Sequence, residues 1–308
     1  METPLLFLGS EYGNQLYVKR DDLYPLAFGG NKARIARRYF EEIDAGGYDC
    51  VVTYGSSRSN LCCAVAAMAA ARGMTCVTVM HGGGESIQFN NRLVRLSGAQ
   101  QVYSPVSSVS AAIDATLDRL RQEGRRPCFI PGGGQGAAGI RAYVECYEEI
   151  KAYERSAGIP FDFIFLPSGT GTTQAGLVCG KLLCGGDCEI VGISVARTAD
   201  RGRPEIIRNV LEYCSTTGLA VSEDVIERSV IFEDAYTAGG YAKGDYLDTI
   251  VSVWKKYAIP LDNTYTAKAF CGMQSYLTVR GIVGKRILFL HTGGIPLFFD
   301  DLPCGING

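Results

Sequence analysis

Hydrophobic and polar positions follow one another along this chain in two alternating patterns. One pattern is a short apolar run rich in β-branched residues, which is typical of a strand buried on both faces. The other is a longer stretch whose apolar residues recur every three or four positions, as they do along one side of a helix. Strands and helices that alternate in this way predict parallel sheets with helical crossover connections. We therefore expect an α/β protein built from two open parallel, doubly wound sheets.

The two patterns give the bounds of the predicted elements. Strands are expected at residues 51–54, 75–80, around 102, 128–130, 161–166, 189–195 and 286–290. Helices are expected from the glycines near residue 30 to residue 43, and at 59–72, 87–96, 107–122, 138–156, 173–183, 203–216, 244–257 and 267–280.

Two units of this kind fit a chain of 308 residues. We predict a small inserted unit at residues 40–150, while residues 1–39 and 151–308 form a larger, discontinuous unit. Ligands of open parallel sheets bind beyond the carboxyl ends of the strands. The loops that follow the predicted strands are therefore the places to look for chemistry.

Composition and charge narrow the range of partners. The formal net charge is −2 and no basic run is longer than Arg125-Arg126, which disfavours a nucleic-acid backbone as a ligand. The longest apolar run, residues 61–71, is about half of the ~20 residues that a membrane span needs, and no signal peptide is recognisable. Twelve cysteines are then typical of reduced cytoplasmic thiols, and with two histidines they fit no metal-ligand spacing well. We expect a cytoplasmic protein without metal, membrane or nucleic-acid partners.

Lys32 stands in an unusual place, the first turn of a predicted helix. Positive side chains are favoured at the carboxyl end of a helix, because the amino end already carries the positive end of the dipole. Here the lysine directly follows Gly29, Gly30 and Asn31. A solvated lysine beside a turn is the ordinary interpretation, since lysine is mostly exposed.

Three loops after predicted strands could bind an anion or present a hydroxyl. Residues 167–173, Pro-Ser-Gly-Thr-Gly-Thr-Thr, precede a helix and could hold a small terminal phosphate; a plain turn with an N-capping threonine is the alternative. Residues 55–60, Gly-Ser-Ser-Arg-Ser-Asn, could hold a carboxylate, and ordinary N-capping is equally compatible. The third loop places Thr292 between a strand end and two glycines.

Together these features resemble the pyridoxal phosphate enzymes of the tryptophan-synthase-β fold type, also called fold type II. Within them the chain is similar to the family of 1-aminocyclopropane-1-carboxylate deaminase and D-cysteine desulfhydrase. The strongest piece is KRDDLYPLAFGGNKARIARR at residues 19–38. Further pieces follow in the family's order: SRSN (57–60), PGGGQGAAGIRAYVECYEEI (131–150), SGTGTTQAGL (168–177), YTAGGYAKGD (236–245), TYTAKAFCGM (264–273) and HTGGIPLFF (291–299). The resemblance implies a cofactor cleft between the two sheets.

The resemblance implies how the cofactor, pyridoxal 5′-phosphate, is held. Lys32 would bind it as a Schiff base, and Asn60 would contact the phenolic oxygen of its ring. Thr266 and Thr292 would lie near the ring nitrogen. The phosphate would be held by Gly169, Thr170, Gly171, Thr172 and Thr173.

The resemblance also implies a substrate site. Ser59 would lie at the carboxylate of a small amino acid or assist proton transfer, and Asn60, Leu61 and Tyr265 would contact the same substrate. Tyr241 and Tyr265 match two active-site tyrosines of the family. The expected catalytic side chains are those of Lys32, Ser59, Tyr241 and Tyr265.

Departures from the family pattern bear on the reaction. Thr266 stands where the deaminase branch has a glutamate, and neither Thr266 nor Thr292 can keep the ring nitrogen protonated as a carboxylate would. This difference favours prompt loss of a β-leaving group, so the desulfhydrase branch is the closer match. An altered substrate pocket is implied by Arg58, Leu61, Asn263 and Ala267, which also replace the family's usual residues.

We therefore expect a pyridoxal-phosphate-dependent lyase that catalyses α,β-elimination on a small amino acid, with D-cysteine as the best single candidate. The products would be pyruvate, ammonia and sulfide or another leaving group. The alternatives on the same fold are a β-replacement synthase of a specialised amino acid and a ring-opening deaminase. The alternative of another class is a non-enzymatic protein that binds a phosphorylated metabolite. We also expect a homodimer.

Overall fold

The structure is a computed structural model that describes residues 1–81, 88–236 and 245–302. Within these ranges the strands are β1 (Leu5–Glu11), β2 (Asn14–Arg20), β3 (Cys50–Ser56), β4 (Thr75–His81), β5 (Gln100–Tyr103), β6 (Pro127–Ile130), β7 (Phe163–Ser168), β8 (Glu189–Ser194), β9 (Ile231–Glu233) and β10 (Arg286–His291). The helices are α1 (Gly30–Gly46), α2 (Asn60–Ala70), α3 (Phe89–Leu96), α4 (Val109–Gln122), α5 (Ala137–Ala157), α6 (Thr172–Cys184), α7 (Ala199–Thr217), α8 (Glu223–Ser229), α9 (Leu247–Tyr257), α10 (Thr266–Val279) and α11 (Ile295–Asp301).

The strands form two sheets, as the alternating pattern predicts. The four-stranded sheet has the order β5-β4-β3-β6, and all its neighbours are parallel. The six-stranded sheet has the order β1-β2-β10-β7-β8-β9. Each strand and helix expected from the sequence has a counterpart among the described residues, with bounds that differ by a few positions. The expected first residues of two helices, Ile87 and Gly244, lie outside the described ranges.

The six-stranded sheet differs from the expectation at one edge. Strands β1 and β2 form an antiparallel hairpin, and β2 then pairs with β10 in parallel. The sequence pattern did not indicate β2, because this inner strand ends in Lys19 and Arg20. Both are buried with a carboxylate partner: Lys19 Nζ lies 2.6 Å from Glu149, and Arg20 Nη2 lies 2.7 Å from Asp22.

The division of strands between the sheets follows the chain. Strands within residues 50–130 form the small sheet, and the strands before and after them form the large one. Helices α1, α2, α5 and α6 contribute to one continuous apolar core, in which Phe40, Val65, Tyr143 and Leu177 are all buried. The predicted unit boundaries near residues 40 and 150 stay a prediction.

None of the helices in the described ranges is both long enough and apolar enough to cross a membrane. The same ranges contain no cluster of three or more histidine, cysteine, aspartate or glutamate side chains that could hold a metal ion.

Candidate active site

A cavity of about 560 Å³ lies where the carboxyl ends of strands from both sheets meet. The small sheet reaches it at the ends of β3, β4 and β6, and the large sheet at the ends of β7, β8 and β10. This is the position where open parallel sheets bind ligands. The expected site residues that line it are Lys32, Ser59, Asn60, Leu61, Gly169, Thr170, Gly171, Thr173, Tyr265 and Thr292.

Two expected site residues among the described ones are not part of this lining, and a third cannot be compared with it. Thr172 and Thr266 lie outside it, although both are fully buried. Tyr241 belongs to the stretch 237–244, which lies outside the described residues. Its assignment as a catalytic residue stays a prediction.

Lys32 lies in the first turn of α1, and its amine reaches the small-sheet side of the cavity. Nζ donates a hydrogen bond of 2.7 Å to the carbonyl oxygen of Gly133, which follows β6. Burial lowers the pKa of Lys32 to about 8, and no carboxylate among the described residues offsets this effect. An amine with this pKa loses its proton far more readily near neutrality than an exposed lysine does.

The start of α1 is packed tightly against the loop that follows β10. Gly29 and Gly30 have φ values of +70° and +86°, which favour glycine. A Cβ on Gly29 would overlap the carbonyl oxygen of Asp22, and one on Gly30 would lie 2.6 Å from the carbonyl oxygen of Thr292. Asn31 N donates to that same Thr292 oxygen at 2.9 Å. The two glycines therefore let Lys32 and Thr292 share one wall of the cavity.

The amino end of α6 forms a cradle suited to a small anion. Gly171 precedes the helix with a φ of +91° and has no side chain that could cap it, so the first N–H groups of α6 receive no hydrogen bond from their N-cap residue. The hydroxyls of Ser168 and Thr172 are buried without a hydrogen-bond partner in the described part of the chain. Thr173 Oγ1 accepts a 2.9 Å hydrogen bond from Asn31 Nδ2, which ties this cradle to the start of α1. Free N–H groups and unpartnered hydroxyls fit a phosphate.

The start of α2 carries the expected substrate residues. Ser59 Oγ accepts a 3.2 Å hydrogen bond from Cys62 N, so this serine performs the N-capping that the sequence allowed as an alternative. Asn60 is the first residue of the helix, and its Oδ1 accepts a 2.8 Å hydrogen bond from Asn90 Nδ2. Whether Ser59 also contacts a substrate stays a prediction.

Only one of the two expected ring-nitrogen threonines lines the cavity. Thr292 lies directly after β10 and is 6% exposed. The hydroxyl of Thr266 points instead to Asp262: Oγ1 donates to Oδ2 at 2.8 Å and accepts from the backbone N–H of Asp262 at 2.8 Å. Burial raises the pKa of the Asp262 carboxyl, and hydrogen bonds from Thr266 and neighbouring N–H groups oppose that rise. The hydroxyl of Thr266 is thus engaged by Asp262, and its contact with the ring nitrogen stays a prediction.

Three lining side chains, those of Tyr54, His81 and Arg197, received no role from the sequence, and Arg58 entered only as a departure from the family pattern. Tyr54 and His81 lie near the ends of neighbouring strands, with ring centroids 5.4 Å apart. Arg58 Nη2 donates to Thr264 Oγ1 at 2.9 Å and to Asp301 Oδ1 at 3.3 Å. Arg197 follows β8. Each lies at or just after the carboxyl end of a strand, so the rule that located the loops could have located these side chains.

The charged side chains in the described lining of the cavity are all basic. Its described lining contains Lys32, Arg58 and Arg197 but no aspartate or glutamate. A lining of this kind suits anionic ligands, since nothing on it repels them.

The chain is similar to several known proteins over nearly its whole length. Residues 2–293 match the model of a family described as "Pyridoxal-phosphate dependent enzyme". The chain is 31% identical over 314 residues to a D-cysteine desulfhydrase of Yersinia pestis (strain Pestoides F), with 98% of this chain and 94% of the relative covered. A crystal structure of a protein described as an ACC deaminase homologue is similar with a TM-score of 0.86 at 31% identity, covering 96% of this chain and 90% of that one. The structure of O-ureido-L-serine synthase shares the fold, with a TM-score of 0.69 at 22% identity over 99% of this chain and 94% of that one.

Proposed function

Because this chain belongs to the family of pyridoxal-phosphate-dependent enzymes, we propose that it catalyses α,β-elimination on a small amino acid, with D-cysteine as the best single candidate. The products would be pyruvate, ammonia and sulfide. The relative named D-cysteine desulfhydrase, 31% identical over nearly the whole chain, supports the substrate class. The observation that carries the proposal is the described cavity lining, which combines a lysine of lowered pKa with hydroxyls and has no carboxylate.

The residues around the cavity fit pyridoxal phosphate. Lys32 would bind the cofactor covalently, and the start of α6 with residues 169–173 would hold its phosphate. Asn60 would face the phenolic oxygen of the ring, and Thr292 would lie near the ring nitrogen. Once bound, the cofactor supplies an electron sink for the negative charge that develops at the substrate Cα.

The chain's own groups would then position the substrate and move its protons. The start of α2, with Ser59 and Leu61, is suited to the substrate carboxylate, because a helix amino end attracts anions. The Lys32 amine would take the proton from the substrate Cα, and a pKa of about 8 suits that task. Tyr265 lines the same cavity and would contact the substrate.

The side chains around the ring nitrogen support elimination over the alternatives. A carboxylate near that nitrogen would keep it protonated, whereas the hydroxyl of Thr292 cannot. Charge at Cα would then be less delocalised and would be relieved by loss of the β-leaving group. None of the described lining residues is acidic, so no carboxylate among them could protonate that nitrogen.

Two same-fold alternatives keep support, whereas membership of an enzyme family disfavours the non-enzymatic alternative. The ACC deaminase homologue supports ring opening. Arg58 and Leu61, which depart from the family pattern, support a specialised substrate and a β-replacement reaction. A non-enzymatic phosphometabolite binder would still use the cradle at α6 but would not need the lysine.

The decisive test is a product screen with the purified holoenzyme. D and L forms of cysteine, serine and β-chloroalanine, and 1-aminocyclopropane-1-carboxylate, would be assayed for their keto-acid product, ammonia and sulfide, with and without an added thiol nucleophile. We expect pyruvate and sulfide from D-cysteine. Release of 2-oxobutyrate from the cyclopropane substrate alone would favour the deaminase, and a thiol-dependent new amino acid would favour the synthase. A colourless protein that borohydride does not label would leave the phosphometabolite binder.

We also propose a cytoplasmic location and a homodimer. All eleven cysteines of the described residues are free thiols, which supports a reducing compartment. Burial raises the pKa of Cys62 to about 11 and that of Cys63 to about 12. Apolar side chains that stay exposed, such as Leu23 at 51% and Phe28 at 57%, support a partner surface. Light scattering of the eluted protein measures the oligomeric state.

A further inference from the structure

Asn90 is a buried amide that contacts Asn60 without lining the cavity itself. It belongs to the first turn of α3 and is 1% exposed. Its Nδ2 donates one hydrogen bond of 2.8 Å to the carbonyl oxygen of Arg58 and another of 2.8 Å to Oδ1 of Asn60. Neither the family resemblance nor the sequence pattern gave Asn90 a role.

These two hydrogen bonds determine which way both amides point. A backbone carbonyl can only accept, so the Arg58 oxygen requires the NH₂ group of Asn90 on its side. The second N–H of that group faces Asn60, which must present its oxygen in return. The two ends of an amide are nearly identical in shape, so only such partners choose between its two orientations. The NH₂ group is then the end of Asn60 that remains for a ligand in the cavity.

We propose that Asn90 is a positioning residue, which keeps the Asn60 amide turned with its N–H groups toward the phenolic oxygen of the bound cofactor. The inference rests on the proposed function, in which Asn60 faces that oxygen. A phenolate attracts an N–H group and repels an amide oxygen, so the opposite orientation would replace attraction by repulsion. A donated hydrogen bond also favours the deprotonated phenolic oxygen. Asn90 thereby sets, through Asn60, how tightly the bound cofactor holds its proton next to the Lys32 nitrogen.

A purely structural role for Asn90 makes a different prediction. The amide also ties α3 to the loop after β3, so its loss would lower the stability of the fold. Stability loss alone would leave the proton affinity of the bound cofactor unchanged. The neighbouring Asn91 provides a matched control: it is fully buried in the same helix, and its Nδ2 contacts Met80 Sδ at 3.8 Å rather than Asn60.

The test is a pH titration of the visible absorbance of the bound cofactor, together with its dissociation constant and the thermal unfolding of each holoenzyme. The variants are Asn60→Ala, Asn90→Asp, Asn90→Ala, Asn91→Ala and the double variant Asn60→Ala with Asn90→Asp. In Asn90→Asp an acceptor faces the Arg58 oxygen and Asn60 Oδ1, so the Asn60 amide must turn round. Loss of the donated N–H removes the preference for the deprotonated oxygen, so we expect the titration midpoint to rise by roughly one pH unit.

The outcomes distinguish the role of Asn90, the assignment of Asn60 and the proposed function. We expect the shift in Asn60→Ala and in both Asn90 variants, none in Asn91→Ala, and no additional shift in the double variant. If the midpoint shifts in Asn60→Ala but stays at the wild-type value in both Asn90 variants, the role of Asn90 is refuted and the assignment of Asn60 stands. A wild-type midpoint in Asn60→Ala would overturn both the inference and the assignment of Asn60. A wild-type protein that binds no cofactor covalently would refute the proposed function. If Asn90→Asp does not fold, Asn90→Ala carries the comparison against Asn91→Ala.

Discussion

Lys32 shows how a single residue can serve chemistry at the expense of stability. Its amine is enclosed at the cavity wall beside a carbonyl oxygen, with no carboxylate among its described partners. Enclosure disfavours the charged amine and so lowers its pKa. The same enclosure makes the charged amine costly for the folded chain at neutral pH.

Replacing Lys32 by methionine should therefore stabilise the cofactor-free protein near neutral pH while abolishing turnover. Below about pH 8 the Lys32 amine of the folded wild type is charged although it is poorly solvated. Between about pH 8 and 10.5 the amine is protonated in the unfolded chain but neutral in the folded one. The unfolding free energy of the wild type therefore rises with pH across this range. We expect Lys32→Met to be more stable by about 2 kcal/mol at pH 7, with the difference shrinking toward pH 10. Urea unfolding of both apoproteins at several pH values measures this. A difference that grows with pH would contradict the burial argument.

One hydrogen-bond partner distinguishes the two threonines that the resemblance assigns to the ring nitrogen. Asp262 engages the hydroxyl of Thr266, whereas Thr292 lines the cavity. The family pattern alone could not distinguish them, because both positions follow a recognisable motif. The partner of Thr266 is visible only in the folded chain.

Thr292→Asp should change the reaction while Thr266→Val should not. A carboxylate at position 292 would hold a proton on the ring nitrogen and raise its proton affinity by ~1–3 pKa units. We expect faster exchange of the Cα proton of alanine in deuterium oxide and slower elimination from a β-chloro substrate. Thr266→Val removes a hydrogen bond from a buried carboxylate, so it should lower the unfolding temperature and leave the ratio of the two rates unchanged. Nuclear magnetic resonance measures the exchange, and an equal change in both variants would remove the distinction.

At the scale of elements, helix α6 shows what the sequence could and could not reveal. The run of small residues after β7 predicted the helix start, which the structure confirms, whereas the anion site at that start stays a prediction. The sequence pattern does not predict strand β2, because Lys19 and Arg20 are typical of a protein surface. Their burial depends on the partners Glu149 and Asp22, which only the folded chain shows.

The two ends of α6 allow a controlled test of the anion cradle. Gly171 at the start and Gly185 at the end have φ values of +91° and +73°. A Cβ on Gly171 would lie 2.8 Å from Ile206 Cγ1, while one on Gly185 meets nothing within 4 Å. Both alanine variants should lose about 1 kcal/mol of stability from backbone strain. Only Gly171→Ala should weaken cofactor binding, by roughly tenfold on the affinity scale, and equal dissociation constants in both variants would exclude this end of the helix as the phosphate site.

For the whole molecule, strand order and the contacts between units are what the sequence could not supply. Alternating elements predicted two parallel sheets, but nothing in them specified that β10 lies between β2 and β7. The structure also shows contacts near the cavity that join α11 to the loop after β3 and to the start of α3. Arg58 bonds to Asp301, and the backbone N–H of Phe89 bonds to the carboxylate of Asp300 at 3.2 Å. The carboxyl end of α11 thus holds both the loop after β3 and the start of α3.

Loosening this connection should affect the substrate more than the cofactor. Asp301→Asn removes the charge that fixes Arg58 in the cavity wall, so we expect a three- to tenfold higher KM with unchanged cofactor affinity, equivalent to about 1 kcal/mol. Asp44→Asn is the control, because it breaks an exposed ion pair with Arg72 away from the cavity lining. Exposed pairs contribute little, so its KM should stay at the wild-type value. Steady-state kinetics of both variants decides the point.

The enclosed thiols bear on how long such an enzyme stays intact. Polysulfides, which form when released sulfide is oxidised, transfer sulfur to accessible thiolates and convert them into persulfides, and the thiolate is the reactive form. Cys62 follows Ser59 by three residues and so lies close to the proposed substrate site. Its thiol is nevertheless fully buried, and burial raises its pKa so that it stays protonated. Among the described cysteines, Cys184 is the exposed one. Among the described cysteines, iodoacetamide should therefore label Cys184 first and leave Cys62 unlabelled until the protein unfolds, so Cys62 would be spared by the polysulfides that follow from released sulfide.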